Sequence, residues 1–224
     1  MAAAKTRLMP GFSPDQAAYV VGLHRDLVCR WAFGNPRGAA VLQEPPRGGD
    51  LRFVDVVELM TVREIRRGRD VPLQRIREAI INGRKLLGVE HPFARPHELF
   101  VYGGDIGIKT SKGDFLMLTG KSRAQHMMEP VIQGHLKWLK YDRRGDAERY
   151  IPMTRGGFRV ELNRDIGLGH PMIMPTGISV AAAVYSVGTE GSVLGAARML
   201  DVPRQAVELA VAYDRDRAAE QKAA

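Results

Sequence analysis

The sequence predicts an α+β fold, mainly α, in three parts: a helix-turn-helix unit in front, a small strand-rich middle, and a helical, helix-turn-helix-like end. Three observations lead there. Apolar residues recur at helical spacing over 54–88 and again from Ile178 to about Tyr213. Between those stretches, short apolar runs are punctuated by glycine pairs, as strands and their turns are. Near the front, Ala18, Gly22 and Val28 stand four and six residues apart. That spacing supplies a small residue for close helix approach, a turn residue tolerant of positive φ, and an apolar residue to close the helix pair.

Taken in order, Ser13 is a good N-cap, Pro14 suits a first helical turn, and Gln16 completes a capping box, so a first helix runs from about Pro14 to Val21. A second starts near His24 or Arg25. It turns Leu27, Val28 and Trp31 inward, and His24, Arg25, Asp26, Cys29 and Arg30 outward. Residues 34–50, rich in Gly, Pro and Arg, read as loop or hairpin. In 54–88, Pro72 starts the second of two helices, with Asp70 as a cap. Residues 99–119 read as strands, 124–140 as a helix interrupted near Pro130, and 148–162 as strands around Gly156-Gly157. The first ten residues and Arg215–Ala224 read as loose tails, the latter alternatively as a frayed helix end. The expected domains are 1–95, 96–159 and 160–224.

Charge follows the same division. Residues 1–95 hold 16 basic and 10 acidic side chains, 96–159 hold 11 and 7, and 160–224 hold 6 and 8. A basic front suits a polyanion, because each Lys or Arg that neutralises a phosphate releases a counterion. With Cys29 alone, neither an internal disulfide nor a multi-cysteine metal site can form. No apolar run suits a signal peptide or a membrane span, so a soluble, cytoplasmic protein is expected.

Enzymatic chemistry is not expected, nor a cofactor or a metal. Gly120-Lys121-Ser122 resembles the end of a phosphate-binding loop, but Phe115 stands where that loop needs its first glycine. The six histidines (His24, His91, His97, His126, His135, His170) never pair at the spacing of a helical metal site, and no Gly-x-Ser-x-Gly elbow occurs. Cys29 reads as a partly buried thiol rather than a nucleophile.

Two family resemblances sharpen these expectations. Residues 13–82 resemble the DNA-binding domain of the MerR family: a helix-turn-helix, a wing ending in an Arg-aromatic pair (here Leu51-Arg52-Phe53), and two more helices joined by a short link (here Arg66 to Leu73). That family's long dimerisation helix is missing, because Pro92 and Pro96 interrupt the chain. The resemblance implies a winged helix-turn-helix that touches DNA through His24, Arg25, Asp26, Arg30, Arg37, Arg47 and Arg52. Residues 160–213 resemble domain-of-unknown-function family 433, through Gly169, Pro171, Ile173, Thr176, Ile178 and Val180 and the helices that follow. Pro175 and Gly177 depart from its motif. The end also repeats the helix-turn-helix spacing with Ala197, Asp201 and Val207, and turns Arg204, Gln205, Glu208 and Leu209 outward.

Members of that second family are often VapB-like antitoxins paired with PIN-type ribonuclease toxins. The leading expectation is therefore a homodimeric type II antitoxin and autorepressor. It would bind operator DNA through the front, and a PIN-type ribonuclease through Arg204, Glu208, Leu209, Arg215 and Arg217. An alternative is a ligand-responsive MerR-like transcription regulator with 96–159 as sensor. A third is a non-catalytic interaction protein. Under the leading expectation the front binds DNA by itself, and 160–224 is dispensable for that binding.

Overall fold

The computed structural model describes residues 11–36, 38–42, 49–69, 71–109, 113, 115–120, 129–130 and 138–223. Among them are seven α-helices and three antiparallel sheets, an α+β fold. The first helix, α1 (Pro14–Val21), carries the expected capping box: Gln16 N–H donates to Ser13 Oγ, and Ser13 N–H donates to Gln16 Oε1 at 2.8 Å. Gly22 ends it at φ 69°, ψ 43°, and α2 (Arg25–Phe33) follows. Ala18 and Val28 are buried between the two helices. Two short strands, β1 (Gly11–Phe12) and β2 (Leu51–Arg52), pair antiparallel, so the chain after the expected hairpin returns beside the strand that precedes α1. Asn35 and Gly38 bridge across a tight turn, whereas 43–48 lie outside the described residues.

Helices α3 (Phe53–Arg69) and α4 (Leu73–Leu87) follow. Pro72 precedes α4 as expected; Asp70 lies outside the described residues. A buried polar cluster sits at the start of α3. Asp55 accepts from Arg52 N–H, Nε and Nη2; Glu58 pairs with His91 at 2.9 Å and accepts from Phe93 N–H. Buried carboxylates persist only when so satisfied, and here they fasten the 90s segment to α3.

The middle forms one sheet, ordered β5-β4-β3-β6, from β3 (Glu98–Tyr102), β4 (Asp105–Lys109), β5 (Phe115–Met117) and β6 (Glu129–Pro130). The second sheet is a five-strand meander: β7 (Leu139–Tyr141), β8 (Ala147–Arg155), β9 (Phe158–Asn163), β10 (Met172–Met174) and β11 (Ile178–Ser179). Gly156 and Gly157, both at positive φ, join β8 to β9 with Arg155 opposite Phe158. The helix expected over 124–140 is corrected where it is described. Glu129–Pro130 pairs with β3, and in β7 Leu139 is buried between exposed Trp138 and Lys140, a strand's period of two. The rest of that stretch lies outside the described residues.

The end comprises α5 (Val180–Glu190), α6 (Val193–Met199) and α7 (Arg204–Lys222), with Asp201 at φ 53° between α6 and α7. Three expectations fail here. The boundary at 159/160 cuts through β9, which pairs with both β8 and β10, so 96–159 and 160–224 share one sheet. Arg215–Ala224 is not a loose tail, because α7 stays helical to Lys222. Leu209 points inward: Ala206, Leu209, Ala210 and Tyr213 form one buried stripe. That stripe packs α7 against α1, β8 and β9, and a single apolar core runs from Phe12 to Tyr213.

Polar contacts reinforce this seam. The last carbonyls of α1 lack intrahelical donors. Arg63 Nη1 donates to Val21 O, Arg217 Nη1 to Val20 O at 3.5 Å, and Gln221 Nε2 to Leu23 O at 3.2 Å. Glu220 joins both arginines, at 2.6 Å to Arg63 and 3.0 Å to Arg217. Burial disfavours the Arg63 cation, but Glu220 and Glu64 more than offset this and raise its pKa. Tyr19 donates to Asp214 Oδ1 at 2.9 Å and meets the Tyr213 ring edge-on at 6.0 Å. Burial, helped by Tyr213 and Asp214, holds the Tyr19 phenol well above the usual tyrosine range, so it remains a donor. Among the described residues, no helix is long and apolar enough to cross a membrane.

Two substitutions probe the seam. Gly22→Val strains a left-handed residue by about 1–3 kcal/mol, and its Cβ would also collide with the Glu220 carboxylate and the Arg63 guanidinium. The thermal midpoint should fall clearly; an unchanged midpoint would show that this turn tolerates a side chain. Glu220→Ala removes a charged acceptor from two guanidinium groups and should cost about 1–3 kcal/mol. Denaturant titration checks it, and a midpoint equal to the parent's rules the clamp out as a stabilising contact.

Candidate nucleic-acid interface

Helix α2 is two-sided. Val28, Trp31 and Ala32 are buried against the core, and His24, Arg25, Asp26 and Arg30 are exposed. His24 is the N-cap, its Nδ1 accepting from Asp26 N–H at 3.4 Å, which fixes the imidazole at the helix entry. Arg25 pairs with Asp15 at 3.3 Å and with Asp26 at 3.8 Å. All three side chains are at least half exposed, so these pairs exchange readily for another anion. Arg30 makes neither a hydrogen bond nor an ion pair with the described residues, and Cys29 is a half-buried free thiol between these groups.

The other residues expected at DNA divide. Arg37 and Arg47 lie outside the described residues. Arg52 is corrected. Its Nε and Nη2 reach Asp55 at 2.9 and 3.0 Å, and its Nη2 also lies 3.0 Å from His91 Nε2. Because Asp55 is fully buried, this guanidinium compensates a buried charge and is not held out toward a ligand.

The expected partner set does not form one surface. Arg204 and Glu208 pair at 2.7 Å on the outer side of α7, and Arg215 is exposed further along. Leu209 is in the core, and Arg217 lies in the seam with its guanidinium 5.4 Å from the Tyr213 ring centroid. A helical stripe at 206, 209, 210, 213 and 217 was available in the sequence as the signal for this, and analogy with a reading helix obscured it.

Sequence reasoning also missed a set of arginines next to α2. Arg66 and Arg67 of α3 and Arg77 of α4 face a cavity that Arg30 and Trp31 of α2 also line. The only sequence signal was the adjacent pair Arg66-Arg67, which reads as part of an interhelical link. No group of three or more His, Cys, Asp or Glu side chains suited to a metal ion occurs among the described residues.

No family model matches the chain, and no curated protein matches it. Among solved structures, the crystal structure of Rv2018 from Mycobacterium tuberculosis is similar, at 17% identity and a TM-score of 0.63 over 90% of this chain and 97% of that one. At that identity the likeness shows a shared fold.

Proposed function

We propose that this chain is a transcription regulator that binds duplex DNA, with α1, the Gly22 turn and α2 as a helix-turn-helix and α2 as its reading helix. The observation that carries the reading is the asymmetry of α2: a fully packed inner side, and an outer side with a capped entry and two exposed arginines behind a left-handed turn. Arg at this position suits a guanine edge or a backbone phosphate, and His24 at the helix start suits either. Arg52 instead holds the returning strand to α3. A homodimer on paired half-sites is the natural stoichiometry.

A second reading adds a protein partner, as in a cytoplasmic antitoxin that neutralises a PIN-type ribonuclease. What favours a partner surface is exposed apolar area on α5 and α6: Tyr185, Leu194 and Met199 are 76%, 47% and 52% exposed. Arg204, Glu208 and Arg215 remain on the outer side of α7; Leu209 and Arg217 no longer belong to the set.

The DNA reading is tested with the full chain in mobility shifts across a salt series. Binding should weaken steeply with salt. Arg25→Ala or Arg30→Ala should each cost about 1–3 kcal/mol at a specific site. Absence of any shift at low salt sinks the proposal. The partner reading is tested by co-purification with the product of the neighbouring gene. Met199→Asp should abolish capture while leaving DNA affinity unchanged, and undiminished capture removes α6 from the interface.

A further inference from the structure

The cavity beside α2 has a volume of about 650 Å³, and its walls come from α2, α3 and α4 together with Leu23, Asn35, Gly38, Ala39 and Ala223. Several guanidinium groups face it, and no carboxylate of the described residues lines it. Arg63, at the back, is neutralised by Glu64 and Glu220. Arg67 and Arg77 are held differently. Arg67 Nη2 donates to the main-chain carbonyl of Glu220 at 3.3 Å, and Arg77 Nε donates to that of Ala40 at 3.1 Å. A carbonyl orients a guanidinium without cancelling its charge, so each keeps its charge and its remaining N–H groups for an anion. Arg30 also lines the cavity and makes no ion pair with the described residues.

Apolar wall is supplied by Leu27, Leu73 and Trp31. Trp31 is 4% exposed, and its indole Nε1 is buried with no hydrogen-bond partner among the described residues. The space is also much larger than one phosphate group needs, and lies within the range of small-molecule sites.

We propose that this cavity binds a small organic phosphate of about mononucleotide size, its phosphate on Arg67 and Arg77 and its organic body against Leu27, Leu73 and Trp31. Arg30 belongs both to the cavity wall and to the exposed face of α2. Ligand and duplex DNA therefore compete for Arg30, and occupancy lowers DNA affinity. That last consequence rests on the DNA-binding reading; the binding itself does not.

The experiment is calorimetric titration of the full chain with adenosine monophosphate, ribose 5-phosphate, adenosine and inorganic phosphate at constant ionic strength. One-to-one saturable binding of adenosine monophosphate is expected, with adenosine and inorganic phosphate each weaker. Arg67→Gln and Arg77→Gln should each weaken it about tenfold or more, the size of one charge-assisted hydrogen bond. Because Arg67 is exposed, its variant should keep the parent's thermal midpoint. Arg155→Gln, an exposed arginine in the β8–β9 hairpin, should bind as the parent does. Equal weakening by Arg155→Gln would reduce the effect to diffuse surface charge and overturn the site. Inorganic phosphate binding as tightly as the nucleotide overturns the organic ligand. If no small phosphate binds but Arg67→Gln weakens duplex binding, the cavity takes a DNA backbone phosphate and the proposal falls, with the DNA reading intact. Nucleotide binding by a chain that shifts no duplex leaves the cavity assignment standing and removes the DNA reading.

Discussion

The fold turns on what happens at the C-terminal end of α1. A helix that stops inside a protein presents carbonyls with no donor of their own, and their partial negative charge draws cations. Here Arg63 of α3 and Arg217 of α7 donate to the last two carbonyls of α1, Gln221 of α7 donates to that of Leu23 in the turn beyond, and Glu220 balances the two guanidinium groups. The turn to α2 must then pass directly beneath this cluster. A Cβ there would meet the Glu220 carboxylate and the Arg63 guanidinium, so one position answers both to the backbone's left-handed φ and to the space the clamp occupies. The entry angle of α2 is thus set in part by residues near 220.

That arrangement separates what was legible in the sequence from what was not. The Ser13 capping box, the Gly22 turn, the Gly156-Gly157 hairpin and the Asp201 turn all rest on local backbone chemistry, which a few adjacent residues specify. The inward face of α2 was legible because Val28 and Trp31 fall at helical spacing. Long-range partners were not. Nothing near Glu220 announces Arg63, and nothing near Arg52 distinguishes an arginine facing DNA from one answering a buried Asp55. The boundary at 159/160 failed for the same reason: composition shifts there, but strand pairing does not follow composition. Leu209 failed because an analogy was given more weight than its own helical stripe.

The surplus positive charge of the front is also less uniform than its sum implies. Arg52 and Arg63 are consumed by buried or half-buried carboxylates and serve the fold. Among the described residues, Arg25 is tied only to exposed acids, and Arg67 and Arg77 only to carbonyls. A guanidinium paired inside the protein adds little to the external field, whereas one held by a carbonyl keeps its full charge near a fixed position. Of these arginines, the three not matched by a buried or half-buried carboxylate, Arg25, Arg67 and Arg77, stand on α2 and around its flanking cavity.

Helix α7 gives this geometry a mechanical aspect. At 19 residues it is nearly 30 Å long. Its first half packs against α5 and α6, where the exposed apolar residues lie, and its last turns cap α1. A front and an end that folded separately would let a partner on α5 or α6 act only by occupying space. Here α7, which packs against both of those helices, also supplies an acceptor and donors at the turn ahead of α2. A rigid helix alone transmits no preference, since coupling needs two arrangements whose balance a ligand can bias. The contact through which α7 reaches that turn is the clamp, and there Arg63 pairs with Glu64 as well as with Glu220, so a loss of Glu220 would not leave its buried charge wholly unpaired.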